Sequence, residues 1–110
     1  MQETYIEEIL KELTLEEKIG MIHGAGLFRT EGVERLSIPP LYMSDGPMGV
    51  RAEFADNEWR NVGTTEDYVT YLPCNSAIAS TWNRALAKKA GEVLGEEARG
   101  RGKDVILAPG

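Results

Sequence analysis

The amino-acid sequence predicts an α/β fold with a parallel sheet, and three observations predict it. A short apolar run at residues 41–43 follows two prolines and is typical of a strand. A long helical pattern covers residues 83–101, and a second apolar run follows at residues 105–107. A strand, a connecting helix and a second strand form a βαβ unit, whose crossover we expect to be right-handed. The second run does not alternate apolar and polar residues, which favours burial on both faces, as in parallel sheets.

Composition restricts the class of protein and its partners. The chain has 110 residues, 42% of them hydrophobic, which is enough for one small domain. Lys and Arg number 12 against 18 Asp and Glu, and the net charge of −6 disfavours nucleic acid or an anionic membrane as a partner. The single cysteine, Cys74, and single histidine, His23, predict neither a disulfide nor a metal site, and no cofactor motif is present. We expect a cytoplasmic protein, with Cys74 as a small packing residue.

The N-terminal part predicts two short helices in succession. Residues 4–13 carry an apolar stripe at helical spacing, with acidic residues on the opposite side. Thr14 and Glu17 then match a capping box, in which each residue's side chain satisfies the other's backbone N–H. We expect the second helix to bury three apolar side chains, Leu15, Ile19 and Ile22.

The pattern over residues 83–101 is the best-defined helix. Asn83 is a good N-cap, and Gly91 and Gly95 predict that another backbone approaches the helix closely. The helix also carries several acidic residues that resemble paired catalytic carboxylates. Their spacing is more simply that of a solvated face that pairs with neighbouring cations: Glu92, Glu96 and Glu97, with Lys88, Lys89 and Arg101.

Asp45 is the candidate binding residue, because it ends the first strand on a constrained Gly-Pro turn. A carboxylate held there is a good acceptor for the vicinal hydroxyls of a sugar. The alternative is an ordinary surface turn, since Asp-Gly and Gly-Pro are common turn dipeptides. The long stretch at residues 44–81 predicts a functional loop, on which the rings of Trp59 and Tyr68 either pack the loop down or stack on a sugar.

Two strands and one crossover helix leave a sheet edge bare and a helix face half covered. A complete (β/α)8 barrel needs about 250 residues. We therefore expect these residues to be the opening part of a larger domain, in which sites gather at the carboxyl ends of the strands.

The motifs resemble glycoside hydrolase family 3, the β-glucosidase type. LYMSDGPMGVR at residues 41–51 is similar to the family's opening strand and loop, and LTLEEKIGMIHG at residues 13–24 has a counterpart there. The motifs SDGP, TWN, GEEAR and RGKDVILAPG occur in the family's order. The resemblance implies that residues 1–110 are an N-terminal fragment of a TIM-like barrel domain, incomplete, with two strands and flanking helices. Met48 stands where the family often has histidine or alanine.

The resemblance also implies a function, that of a retaining β-glycosidase acting on terminal non-reducing β-D-glycosyl residues. Asp45 of SDGP and Arg51 of GVR then bind hydroxyls of the sugar in the glycone pocket. The family's nucleophile lies on a later strand and its acid/base in a following domain, so no catalytic residue is assigned in this chain. The remainder of the barrel and the following domain are required partners, and the isolated fragment is expected to be inactive.

Three alternatives stay open. The first two are alternatives to an enzyme: a non-catalytic remnant, and a sugar-binding or scaffold module that shares the family's opening segment. Within the enzyme class, a β-xylosidase is the close rival. A hexosaminidase branch fits less well, because SDGP belongs to the glucosidase-like side of the family.

Overall fold

The computed structural model describes residues 2–51 and 68–109. The chain divides into two compact units, Met1–Leu41 and Tyr42–Gly110, which are described separately. Trp59, one of the two aromatic residues considered above for the loop, lies outside the described residues. No helix in the described ranges has the length and apolar composition that crossing a membrane requires.

The first unit contains helix α1 (Gln2–Glu12), helix α2 (Leu15–Met21) and a one-turn 3-10 helix (Glu34–Leu36). The predicted capping box is confirmed. The Glu17 N–H donates to Thr14 Oγ1 at 3.2 Å, and the Thr14 N–H donates to Glu17 Oε2 at 2.8 Å. Two orphan donors at the start of α2 are thus satisfied by local partners, as the sequence predicted.

Arg35, which is 18 positions from Glu17 in the sequence, binds the capping box through hydrogen bonds. Its Nε and Nη2 each donate to a Glu17 carboxylate oxygen at 2.6 Å, and Nη2 also donates to the Glu12 carbonyl at 2.8 Å. The pKa of Glu17 is lowered from 4.5 to about 2. The hydrogen bonds from Arg35 are the largest cause, and the hydrogen bond from the Thr14 N–H is the second largest. The same bond to Glu17 raises the pKa of Arg35.

Burial in the first unit is limited to a few residues of those described, among them Leu13 and Val33, which are 7% and 5% exposed. The predicted burial of the apolar side chains of α2 is therefore wrong within the described chain. Their exposed fractions are 68% for Leu15, 50% for Ile19 and 84% for Ile22. The capping box fixes where α2 begins, but it does not supply a surface on which its apolar side packs.

The second unit contains strand β1 (Met43–Ser44), helix α3 (Asn75–Ser80), helix α4 (Arg84–Gly100) and strand β2 (Val105–Ile106). The two strands pair in parallel, with Met43 opposite Val105 and Ser44 opposite Ile106, which confirms the parallel βαβ arrangement. Asn83 caps α4 as predicted, its side-chain oxygen accepting from the Leu86 N–H at 3.1 Å. Both strands are shorter than the apolar runs that predicted them.

Helix α3 falls inside the stretch that the sequence predicted as a loop. Its sequence, NSAIAS, is short, and its N-cap residue, Cys74, makes no side-chain capping bond. Cys74 is exposed, so its predicted packing role is wrong. Gly91 and Gly95 have open space where a Cβ would stand, so no described backbone approaches α4 at these positions.

The core of the second unit lies between α4 and the strands. Val50, Leu94 and Ala98 are its buried residues, and partly buried side chains surround them: Val69, Leu72, Ile106 and Ala108. The predicted burial of both faces of β2 is wrong for the described chain, because Val105 and Leu107 are 38% and 48% exposed. One face of the strand therefore packs on α4 and the other is open.

Candidate functional site

Asp45 directly follows β1, at the carboxyl edge of the parallel pair. Ser44 before it is fully buried, and its carbonyl accepts from the Leu107 N–H at 2.8 Å, which extends the pairing to the end of β1. The Ser44 hydroxyl donates to the Asp45 carbonyl at 3.0 Å. The backbone that leads into Asp45 is therefore fixed on both sides, by the neighbouring strand and by the buried serine.

The loop after Asp45 closes on itself through two backbone hydrogen bonds. The Gly49 N–H donates to the Gly46 carbonyl at 3.2 Å, and the Arg51 N–H donates to the Asp45 carbonyl at 3.2 Å. Gly46 has a φ of +114°, and a Cβ added there would lie 1.9 Å from the Gly49 carbonyl oxygen. Glycine is required at this position both by its conformation and by the close approach of the backbone.

The closed loop brings the side chains of Asp45 and Arg51 together. Arg51 Nη1 lies 3.8 Å from Asp45 Oδ1, and the two side chains are 23% and 40% exposed respectively. Asp45 Oδ1 is buried and accepts no hydrogen bond from the described residues. The exposed part of the Asp45 side chain therefore lies on atoms other than Oδ1, the oxygen nearest to Arg51 Nη1.

This pair offers an anionic acceptor next to a cationic donor. The Nη1–Oδ1 separation exceeds the 2.7–3.2 Å or so of an ordinary N–H···O bond, so the two charges are close without a hydrogen bond between these atoms. A polyol with neighbouring hydroxyls can donate to the carboxylate and accept from the guanidinium. Among residues 2–51 and 68–109, no group of three or more His, Cys, Asp or Glu side chains forms a metal site.

Three of the other residues that were considered as candidates from the sequence are Tyr68, Glu92 and Glu97. Tyr68 is 84% exposed. Glu92 pairs with Lys88, and with Lys89 at 3.8 Å, so its predicted place on a solvated face is confirmed. Glu97 differs, because its carboxylate accepts from the backbone N–H of Thr70 at 3.0 and 3.2 Å and from the Thr70 hydroxyl.

The contact between Glu97 and Thr70 was not predicted from the sequence. The two residues are 27 positions apart, and helical spacing indicates only which neighbours on α4 a glutamate can reach. No local pattern therefore points to Thr70. A threonine in a long loop carries no distinguishing mark in a single sequence.

An apolar groove of about 600 Å³ lies in the second unit, and Pro47 of the loop that follows Asp45 is one of its lining residues. It runs between α3, α4 and the end of β2, and its lining includes Ile78, Leu94, Ile106 and Pro109. Asp45 and Arg51 are not among the described residues that line it. The groove therefore adjoins the loop that carries Asp45 and Arg51, although neither of these two residues lines it.

Comparisons with known proteins agree with this fold. No family model matches the chain. The chain is 46% identical over 108 residues to the β-glucosidase BoGH3A of Bacteroides ovatus, and 37% identical over 105 residues to thermostable β-glucosidase B of Acetivibrio thermocellus. These matches cover 98% and 96% of the chain, and the chain spans about 14% of the length of each relative.

Solved structures are similar as well. β-Glucosidase 3B from Thermotoga neapolitana in complex with glucose superposes with a TM-score of 0.80 at 36% identity, over 94% of this chain and 16% of that one. The β-glucosidase from Kluyveromyces marxianus in complex with glucose gives 0.78 at 31% identity, over 94% and 12%. The two parallel strands and flanking helices therefore match a part of a TIM-like barrel. Sequence motifs, strand pairing and superposition agree: over nearly its whole length, the chain is similar to a part of the β-glucosidases of glycoside hydrolase family 3.

Proposed function

We propose that the chain is part of a retaining, β-glucosidase-like glycosidase that hydrolyses terminal non-reducing β-D-glycosyl residues. Asp45 and Arg51 contribute to the pocket that holds the sugar being released. One observation carries this proposal: the Asp45 carboxylate stands at the carboxyl edge of the parallel strands, partly exposed, with Arg51 Nη1 3.8 Å away. The names of the relatives and the glucose held by two of the similar structures support it.

The proposed role of the pair is binding and orientation. Hydrogen bonds to a charged group contribute about 1.5–3 kcal/mol each, so a carboxylate and a guanidinium can together hold one face of a small sugar. The closed loop from Gly46 to Arg51 holds both groups in place before the ligand arrives. A site held in this way does not have to be ordered when the sugar binds.

Bond cleavage requires two further carboxyl groups, which retaining glycosidases hold about 5–5.5 Å apart. We assign neither to this chain. We propose that the remainder of the barrel and a following domain supply them, and that residues 1–110 are part of the barrel domain. The apolar groove and the open face of β2 support this, because both expose surface of the kind that a larger domain buries.

The substrate is a β-glycoside or an oligosaccharide, with neither nucleic acid nor membrane as a partner. We propose a cytoplasmic location, which is supported by the exposed thiol of Cys74, since free thiols persist in reducing compartments.

The test uses the parent polypeptide, meaning the longest natural polypeptide that contains these 110 residues. A chimera, in which these residues replace the matching segment of the Bacteroides ovatus relative, is assayed beside it. Asp45→Ala is expected to lower kcat/KM for an aryl β-glucoside by about two to three decades, because two or more charged hydrogen bonds to the sugar are lost. Glu96→Ala, on the exposed side of α4, is the control and should leave kcat/KM unchanged.

Absence of aryl β-glucoside hydrolysis in both polypeptides, or an unchanged kcat/KM after Asp45→Ala, would contradict the proposal. An aryl β-xyloside assayed in parallel separates the β-xylosidase alternative, which predicts a higher kcat/KM for the xyloside. Sugar binding without hydrolysis of either substrate would instead favour the binding-module alternative.

A further inference from the structure

The segment at residues 68–72 passes directly behind the loop that carries Asp45 and Arg51. The Leu72 N–H donates to the Met48 carbonyl at 2.7 Å. The Thr70 carbonyl faces Gly49 so closely that an added Cβ on Gly49 would stand 2.7 Å from its oxygen. The back of the binding loop therefore rests on the backbone of this segment, with no room for a side chain between them.

Glu97 of α4 holds the same segment from the other side. Both of its carboxylate oxygens accept from the Thr70 N–H, at 3.2 and 3.0 Å, and Oε1 also accepts from the Thr70 hydroxyl at 2.5 Å. One turn later, Arg101 Nη2 donates to the Tyr68 carbonyl at 2.9 Å. The last turn of α4 and its C-cap residue therefore fix residues 68 and 70 through charged groups.

The hydrophobic core connects the same elements. Val50, which is 1% exposed, packs with Leu94 and Ala98 of α4 and with Val69 of the segment. Arg51 follows Val50 immediately. The positions of α4 and of the segment therefore determine the point on the backbone from which the Arg51 side chain extends. Apolar packing alone permits small sliding movements, whereas a carboxylate with two donors on one residue fixes a definite position.

We propose that Glu97 is a positioning residue of the sugar pocket, acting through Thr70 and Gly49 on the Asp45–Arg51 pair. The inference rests on the function proposed above for that pair. A shift of about 1 Å in a group that binds substrate can cost about 100-fold in rate, even when the altered residue lies away from the chemistry. Among the acidic residues of α4 that the sequence raised, Glu92 pairs with lysines, whereas Glu97 is bonded to the segment behind the loop.

The experiment compares variants of Glu97 in the parent polypeptide and in the chimera. Glu97→Ala is expected to raise KM for the aryl β-glucoside, and the inhibition constant of glucose, about 10-fold, with kcat changed less than about 3-fold, because binding geometry is loosened. Glu97→Gln keeps an acceptor for the Thr70 N–H and gains a donor for the Thr70 hydroxyl, so it should stay within about 3-fold of wild type. Glu96→Ala, one residue away on the same helix, should match wild type.

A double-mutant cycle with Asp45→Ala separates positioning from a general loss of stability. If Glu97 acts through Asp45, Glu97→Ala should change kcat/KM less than about 2-fold once Asp45 is absent. A merely structural role would lower kcat/KM by the same factor with and without Asp45. Equal factors in the two backgrounds, or a Glu97→Ala variant that matches Glu96→Ala, would overturn the inference.

Thr70→Val covers the case in which Glu97→Ala does not fold, because it replaces the hydroxyl with a methyl group of similar size and keeps the backbone N–H. It is expected to raise KM about 3-fold, again only in the presence of Asp45; no change would overturn the inference. If Asp45→Ala itself leaves kcat/KM unchanged, the proposed function fails and this inference fails with it. If Asp45→Ala loses activity while the Glu97 and Thr70 variants do not, this inference alone fails.

Discussion

Gly46 and Asp45 depend on each other at the scale of single residues. The carboxylate can stand beside Arg51 only because the chain reverses within six residues, and that reversal uses a positive φ at Gly46. The Gly49 carbonyl occupies the space in which a Cβ on Gly46 would stand. A side chain at this position therefore has to open the loop.

Gly46→Ala is predicted to weaken sugar binding as well as folding. Forcing alanine into this conformation costs about 1–3 kcal/mol, and the displaced loop moves Arg51 away from Asp45. We expect the KM for the aryl β-glucoside in the parent polypeptide to rise about 10-fold or more. Gly20→Ala in α2 is the matched control, because its Cβ would meet only ordinary contacts at 3.6 Å and beyond. A Gly46→Ala variant with the wild-type KM would contradict the prediction, because it would mean that a side chain at this position does not disturb sugar binding.

The sequence was sufficient to place Asp45 at the end of a strand, because an apolar run followed by a Gly-Pro turn is a local pattern. It was not sufficient to show the contact with Arg51 Nη1 or the burial of Oδ1. Both depend on the dihedral angles of the intervening glycines and on residues 68–72 behind the loop. For Asp45, sugar binding was one of two interpretations of the local pattern, and the family resemblance favoured it and added Arg51; the role of both residues is still a prediction.

At the scale of helices and strands, local contacts could be predicted from the sequence and long-range contacts could not. The caps of α2 and α4 were predicted correctly, since a capping bond joins residues three apart. The contact between Arg35 and Glu17 spans 18 positions, and no local sequence pattern predicts it. Helix α3 was missed because six residues without a side-chain cap carry little periodicity.

The contact between Glu17 and Arg35 predicts a pH dependence of the first unit. The pKa of Glu17 falls from 4.5 to about 2 in the folded state, so the ionised carboxylate favours folding. That stabilisation is fully present above about pH 4.5 and is lost as the pH falls toward about 2. A carboxyl titration of Glu17 by nuclear magnetic resonance in the parent polypeptide should give this low midpoint.

Substitution gives an independent measurement of the same contact. The difference in unfolding temperature between wild type and Glu17→Gln should be constant above about pH 4.5 and shrink below it. Glu16→Gln, which leaves the contacts of Thr14, Glu17 and Arg35 in place, should show no such change. A difference that does not vary between pH 2 and 6 would mean that Glu17 is not held by Arg35 in solution.

Exposure of large apolar side chains is the main feature of the whole molecule. Trp82, Ile22 and Tyr71 are 93%, 84% and 82% exposed, and the described buried hydrophobic residues are only five: Leu13, Val33, Val50, Leu94 and Ala98. The sequence predicted this imbalance from its two strands and single crossover helix. It could not predict which side chains stay exposed, because burial depends on surfaces that the pattern of one helix does not contain.

The isolated 110-residue chain is therefore predicted to lack a cooperative fold. A core this small offsets little of the conformational entropy of folding, about 1–2 kcal/mol for each ordered backbone residue. We expect helical circular dichroism, binding of the dye ANS and a gradual thermal transition, together with no hydrolysis of aryl β-glucosides. The same residues within the chimera should melt cooperatively and bind no dye, which makes the chimera the control. Coincident, sharp transitions by near- and far-ultraviolet circular dichroism in the isolated chain would contradict this prediction, because they require fixed side-chain packing that the five buried apolar residues of the described ranges do not explain.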